Sequence, residues 1–91
     1  NMFSGDECKV TLKCNIQLQE EMLDRFGKNI PLTAVDGNHF ETTVTATLSD
    51  GFISWLMQYG DGVEVTSPKK LAKMVRDKAK TIYNMYKGKN L

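Results

Sequence analysis

Cys8, Cys14 and His39 are the residues of this chain best suited to holding a metal or attacking a substrate. Two cysteines and one histidine are too few for most zinc sites and for most nucleophile–base pairs. If residues 8–14 form one strand, the two thiols stand ~20 Å apart and cannot form a disulfide. Glu20 and Glu21 are adjacent, so they lie on different helix faces and read as solvated carboxylates rather than a catalytic pair. His39 opens a strand beside a turn, where it reads as a turn residue rather than a ligand or base. No enzyme, cofactor or metal is expected.

Charge offers more. Residues 1–66 carry four basic side chains and ten acidic ones, whereas residues 67–91 carry eight basic side chains and only Asp77. Lys69, Lys73, Arg76, Lys80 and Lys87 fall within ~60° of one another on a helical wheel, almost opposite Leu71, Val75, Ala79, Ile82 and Tyr86. Such a stripe can track a phosphate backbone or bind an acidic partner, or it can simply be a solvated face. Lys69, Lys73, Arg76 and Lys80 are therefore candidate contacts to an acidic partner or nucleic acid. No aromatic residue interleaves the cations, which counts against nucleic acid.

The elements that carry these residues follow from periodicity. A chain of 91 residues and 10.3 kDa, with 41% hydrophobic and 25% charged residues, is sized and composed for one small globular core. No apolar run approaches the ~18 residues of a membrane span, and no signal peptide opens the chain, so a cytoplasmic, reducing setting is expected. Cys8, Val10, Leu12 and Cys14 alternate with Lys9, Thr11 and Lys13, which predicts a half-buried strand with both thiols inside. Asn15 caps a predicted helix over Ile16–Phe26, with Leu18, Met22 and Phe26 on one stripe and Gly27 at its end. Ile30–Val35 and His39–Leu48 flank Asp36-Gly37-Asn38, a hairpin signal because its turn residues tolerate positive φ. Pro31 suits an edge strand.

Ser49 caps a helix over Asp50–Tyr59, ended by Gly60; a strand Val63–Thr66 follows. Ser67 as cap and Pro68 at the first position then open a long last helix, whose apolar stripe is expected to pack throughout. The order predicts an α+β, ferredoxin-like βαββαβ four-stranded antiparallel sheet with an additional C-terminal helix. An RNA-recognition reading fails because the open sheet face holds threonine, lysine and glutamate rather than aromatics. An acylphosphatase-like reading fails because Cys14-Asn15-Ile16 offers neither glycine nor arginine for a phosphate cradle.

The second helix is apolar nearly all round, with Phe52, Ile53, Trp55, Leu56, Met57 and Tyr59. Either it is buried between the sheet and the last helix, or it meets another domain or protomer. On the second reading Phe52, Trp55 and Tyr59 are the candidate interface, since buried aromatics dominate such contacts.

The run Phe52-Ile53-Ser54-Trp55-Leu56-Met57-Gln58-Tyr59-Gly60-Asp61-Gly62-Val63-Glu64-Val65-Thr66-Ser67-Pro68 resembles the end of bacterial WYL-domain, DeoR-like transcriptional regulators, in their C-terminal extension or WCX domain. Lys9–Cys14, preceded by Met2-Phe3-Ser4-Gly5, is similar to the junction leaving a WYL domain, and Leu23-Asp24-Arg25-Phe26-Gly27 to the first helix of the extension. Residues 1–7 would then be a tag remnant and linker from a preceding WYL domain, and residues 8–91 the WYL C-terminal extension domain. The resemblance implies a non-catalytic regulatory and oligomerisation domain that supports dimerisation and the effector response of an N-terminal helix-turn-helix. Its implied partners are the WYL domain of the same or a partner protomer, a homodimer mate, operator DNA through the N-terminal domain, and a nucleic-acid or small-molecule effector, with no membrane. The alternative is an ACT-like small-molecule-binding module, which shares the fold.

Overall fold

Alternation along the first strand sets the whole arrangement. In the computed structural model, which describes residues 7–91, β1 (Glu7–Asn15) has Val10, Leu12 and Cys14 fully buried while Thr11 and Lys13 face outward. Asn15 accepts a hydrogen bond at 2.9 Å from the Gln17 backbone N–H through its side chain and starts a single 3₁₀ turn, Ile16–Leu18. α1 (Gln19–Phe26) continues from it and stops at Gly27, whose φ of +99° a side chain would oppose. β2 (Thr33–Asp36) and β3 (His39–Thr47) form the hairpin, and α2 (Asp50–Met57) returns the chain to β4 (Val63–Ser67) through a 3₁₀ turn at Gly60–Gly62. α3 (Lys69–Tyr86) closes the sequence of elements.

The sheet order is β2-β3-β1-β4 with every neighbour antiparallel. Each βαβ half thus spans one strand of the other, and the fold is the ferredoxin-like α+β arrangement with an added C-terminal helix. β1 and β3 are central; β2 and β4 are edges. Phe40, Val44, Ala46 and Leu48 of β3 and its following residue join Val10, Leu12 and Cys14 in the core, covered by Met22 from α1 and Phe52, Ile53 and Leu56 from α2. The opposite face is open and polar. Thr11 and Thr43 face each other across the strands with hydroxyls 3.0 Å apart, and Lys13 is paired to Glu41 on one side and Glu64 on the other.

Several local expectations are corrected. Cys14 is buried, but Cys8 is only half-buried, because β4 flanks β1 from Thr11 to Cys14 and leaves Cys8 without a strand on that side. Strand β1 includes Glu7, and the remainder of the expected linker, with Met2-Phe3-Ser4-Gly5, lies outside the described residues. β2 is shorter than Ile30–Val35: Ile30 and Leu32 pack on the core from an irregular segment around Pro31, and the strand starts at Thr33. The hairpin turn does not use positive φ. Instead the Asp36 carboxylate accepts the Asn38 backbone N–H at 2.7 Å and meets His39 Nδ1 at 2.9 Å.

α2 ends at Met57 rather than Tyr59, although Ser49 caps it as expected, its hydroxyl accepting the Phe52 N–H at 3.1 Å. Ser67 belongs to β4, pairing with Thr11, so Pro68 takes the cap position of α3 and no side chain caps that helix. The largest correction concerns α3. Leu71 is fully buried and Ala72, Met74 and Val75 partly so, but every residue from Arg76 onward is exposed. Eighteen residues of helix span ~27 Å, whereas the five residues of β4 beneath it span ~17 Å. The helix outruns β4.

Candidate functional site

The aromatic residues of α2 converge on α1 and not on α3. Trp55 stacks on Phe52, with ring centroids 5.9 Å apart, and meets the rings of Phe26 and Tyr59 edge-on at 5.4 and 5.2 Å. Phe26 also stands edge-on to Phe52 at 6.5 Å. The Arg25 guanidinium lies 5.0 Å from the centroid of the Trp55 ring, a cation–π contact on the solvent side. Partial burial and the neighbouring Glu21 raise the Tyr59 phenol above its ordinary value, with Arg25 opposing. Of the three candidate interface residues, Phe52 is core at 3% exposure, while Trp55 and Tyr59 are half-buried at the surface.

This arrangement accounts for a helix apolar nearly all round. Its underside meets the sheet through Phe52, Ile53 and Leu56; one flank meets α1 through Trp55; the other turns Leu56 and Met57 toward α3. Sequence reasoning had no access to Arg25 as the lid on Trp55. Its one signal was position: Arg25 and Phe26 close α1 just before Gly27.

The cations of α3 are all solvent-exposed. Arg76 donates to Asp77 from Nε at 3.2 Å and Nη2 at 3.1 Å, an exposed pair worth little. Lys69, Lys73 and Arg76 share a groove, whereas Lys80 lies beyond it. The groove, about 640 Å³, runs between α3 and β4; Val63, Val65, Ala72 and Val75 are its apolar lining, with Asp61 and Glu64 on the strand side. A second space of about 220 Å³ shares Val63, Val65 and Val75 with it and reaches Leu56, Met57 and Ala79. The sequence contained one clue to this groove, the βαββαβ order that makes β4 an edge. Past the groove, α3 carries Ile82, Tyr83, Met85 and Tyr86 into solvent, with Tyr83 62% and Tyr86 54% exposed.

The titratable groups singled out by type lie apart from both surfaces. Asp36 and His39 staple the hairpin; the Asn38 N–H first, and His39 second, hold the Asp36 carboxyl below its ordinary value. Burial pushes the Cys14 thiol up to about 11. Among the described residues no three His, Cys, Asp or Glu side chains gather as a metal site, and no helix is long and apolar enough to cross a membrane.

A family model of the WCX domain matches residues 6–83, which include every strand and helix of the fold except the last residues of α3. The chain belongs to the WCX domain family. The family is the C-terminal domain of WYL regulators, a setting in keeping with a regulatory role. A search of curated proteins found no match. Within this WCX domain, the aromatic cluster on α2, the groove along β4 and the projecting end of α3 are the surfaces with features that a self-contained fold leaves unused.

Proposed function

We propose that this WCX domain is the non-catalytic regulatory and oligomerisation module of a bacterial WYL-type transcriptional regulator. It supports dimerisation and couples effector response to an N-terminal helix-turn-helix. The observation that carries this reading is the apolar side of α3 running past its own domain, where Ile82, Tyr83 and Tyr86 touch no core. Large apolar side chains grouped on one exposed helix mark a surface that meets another protein. Half-buried Trp55 and Tyr59 form a second contact point, suited to docking against the WYL domain of the same or a partner protomer.

The test is an Ile82→Asp/Tyr86→Asp variant of the full-length regulator and of residues 1–91. The melting temperature of the isolated domain should stay the same, since neither side chain is in the core. Sedimentation should show the full regulator dissociating toward monomer, with operator binding weakened in step. Unchanged association of the full regulator would refute the reading. Reversing Lys73, Arg76 and Lys80 to glutamate should likewise leave the fold intact, because exposed charges contribute little singly. An ACT-like ligand-binding module has one observation in its favour: the groove of about 640 Å³ falls in the size range of small-molecule sites. Free amino acids raising the melting temperature of the domain would select that alternative.

A further inference from the structure

The last turns of α3 leave the fold at a definite end of the sheet. Ala79 shares the smaller space with Gly60 and with Val63, the first residue of β4. Val63 lies opposite Cys14, one residue before β1 ends, so the helix leaves at the end where β1 hands over to the turn Ile16–Leu18. From there to Tyr86 the helix is unbroken and its residues are exposed, so this segment cannot fold back on its own domain. One broad side of it carries Ile82, Tyr83, Met85 and Tyr86. Lys78 stands one turn before Ile82 and Lys87 one turn after Tyr83, so these two cations border the apolar side instead of opposing it. After Asp77 the chain has Lys78, Lys80, Lys87 and Lys89 and no acidic residue.

The body of the domain has the opposite charge at this same end. Ile16 is 41% exposed where its backbone N–H joins the hairpin at the Asn38 carbonyl, 2.8 Å away. Half-buried Leu18 packs over Gly62, next to Tyr59. Glu20 and Glu21 follow at the start of α1, both exposed, and Asp36 is exposed in the hairpin. Glu21 is close enough to Tyr59 to act on its phenol. The nearest bases of this segment, Arg25 and Lys28, come at the far end of α1 and beyond it. We infer that the projecting end of α3 seats on the Ile16–Glu21 surface of a second copy of the chain, each copy giving its helix end to the other in a closed two-fold pair. Ile82, Tyr83 and Tyr86 cover Ile16 and Leu18, while Lys78 and Lys87 meet the carboxylates of Glu20 and Glu21. The inference rests on the oligomerisation reading above and names its seat. Charge selects the occupant. Two α3 ends laid on each other would set lysine against lysine, and a nucleic acid would take the lysines but leave Ile82, Met85 and Ile16 uncovered. A reciprocal pair covers both surfaces of both copies and closes instead of growing into a chain.

The experiment is analytical ultracentrifugation of residues 1–91 across the micromolar range, with two charge-reversed variants. Lys78→Glu/Lys87→Glu changes only the helix end, and Glu20→Lys/Glu21→Lys only the seat. The unaltered chain should self-associate with a micromolar Kd, more weakly in high salt. Each variant alone should associate roughly tenfold more weakly, because its helix end and seat then have like charge. Mixed in equal amounts, the two variants should form a heterodimer, since each helix end then meets a seat of opposite charge. The helix-end variant should melt as the unaltered monomer does. The seat variant should melt a few degrees lower, because its lysines oppose the dipole at the start of α1. Should it fail to fold, Glu20→Gln/Glu21→Gln serves in its place and should weaken association without forming the heterodimer. Loss of association in the helix-end variant with none in either seat variant would overturn the seat in favour of α3 against α3. Residues 1–91 staying monomeric throughout, whether or not they bind oligothymidylate, would overturn the second copy as occupant. In the full regulator, dissociation by Ile82→Asp/Tyr86→Asp but not by Glu20→Lys/Glu21→Lys would overturn the seat alone and leave the oligomerisation reading standing. No dissociation by either would overturn both.

Discussion

Replacing Trp55 with alanine separates the two roles that its position allows. The side chain has ring contacts with Phe26, Phe52 and Tyr59 and a cation–π contact with Arg25. Aromatic pairs contribute ~0.5–1.5 kcal/mol each, and an exposed cation–π contact ~0.5–1 kcal/mol. Because Trp55 is half-buried, the lower part of each range applies, and the sum is ~2–3 kcal/mol. That lies below the ~3–5 kcal/mol of a fully buried tryptophan. For a domain of this size, ~1 kcal/mol corresponds to ~4–8 °C, so the melting temperature should fall by ~10–20 °C while the domain still folds in the cold. The loss should be local as well. α1 has only Met22 fully buried, so Phe26 against Trp55 is its second attachment, and hydrogen exchange should speed up in α1 before it does in β1 or β3. Urea unfolding gives the magnitude and exchange mass spectrometry gives the place. A loss under ~0.5 kcal/mol, within the range of ordinary surface substitutions, would refute the packing argument. If the variant unfolds residues 1–91 and association of the full regulator is unchanged, Trp55 is core only and its role as an interface anchor fails.

Three further outcomes follow from single side chains. Thr42 is 2% exposed and its Oγ1 has no hydrogen-bond partner, so Thr42→Val should stabilise the domain by ~1 kcal/mol in urea unfolding, and a destabilisation would reveal a missed partner. Half-buried Cys8 should react with a thiol reagent under native conditions while buried Cys14, its thiol held near 11, stays unmodified until unfolding; equal rates in mass spectrometry would contradict the β1 register. Asp36 has its carboxyl lowered in the folded state, so its support of the hairpin is present above the unfolded value and is lost as pH falls through the folded one. The Asn38 amide resonance should therefore titrate with a midpoint below the ordinary aspartate value of ~3.9, and Asp36→Asn should remove that titration; a midpoint at or above ~3.9 would refute the bond.

Much of this fold is written in local pattern. Period-two alternation placed β1 and β3 and chose their buried faces, because a strand that buries one side of a sheet tolerates no one-residue slip. Asn15, Ser49 and Gly27 marked helix ends by satisfying or redirecting backbone groups within a few residues, and those requirements hold in any tertiary setting. The order of elements, once legible, left β4 at an edge. Other features depended on distance and not on pattern. The stripe Leu71, Val75, Ala79, Ile82 and Tyr86 reads as one packing face, yet only its first part is covered, because periodicity states which side of a helix is apolar and not how much surface lies opposite. Trp55 could have faced α3; it faces α1, with Arg25 over its ring, because of the rotation of α2 on the sheet. The hairpin signal was sound while its mechanism was not, since a side-chain carboxylate took the place of positive φ. Cys8 and Cys14 share one parity and differ in burial because β4 pairs with β1 beside Cys14 and not beside Cys8. The residue types along the chain decided what each element is, and the unequal lengths and relative rotations of those elements decided which surfaces remain for a partner.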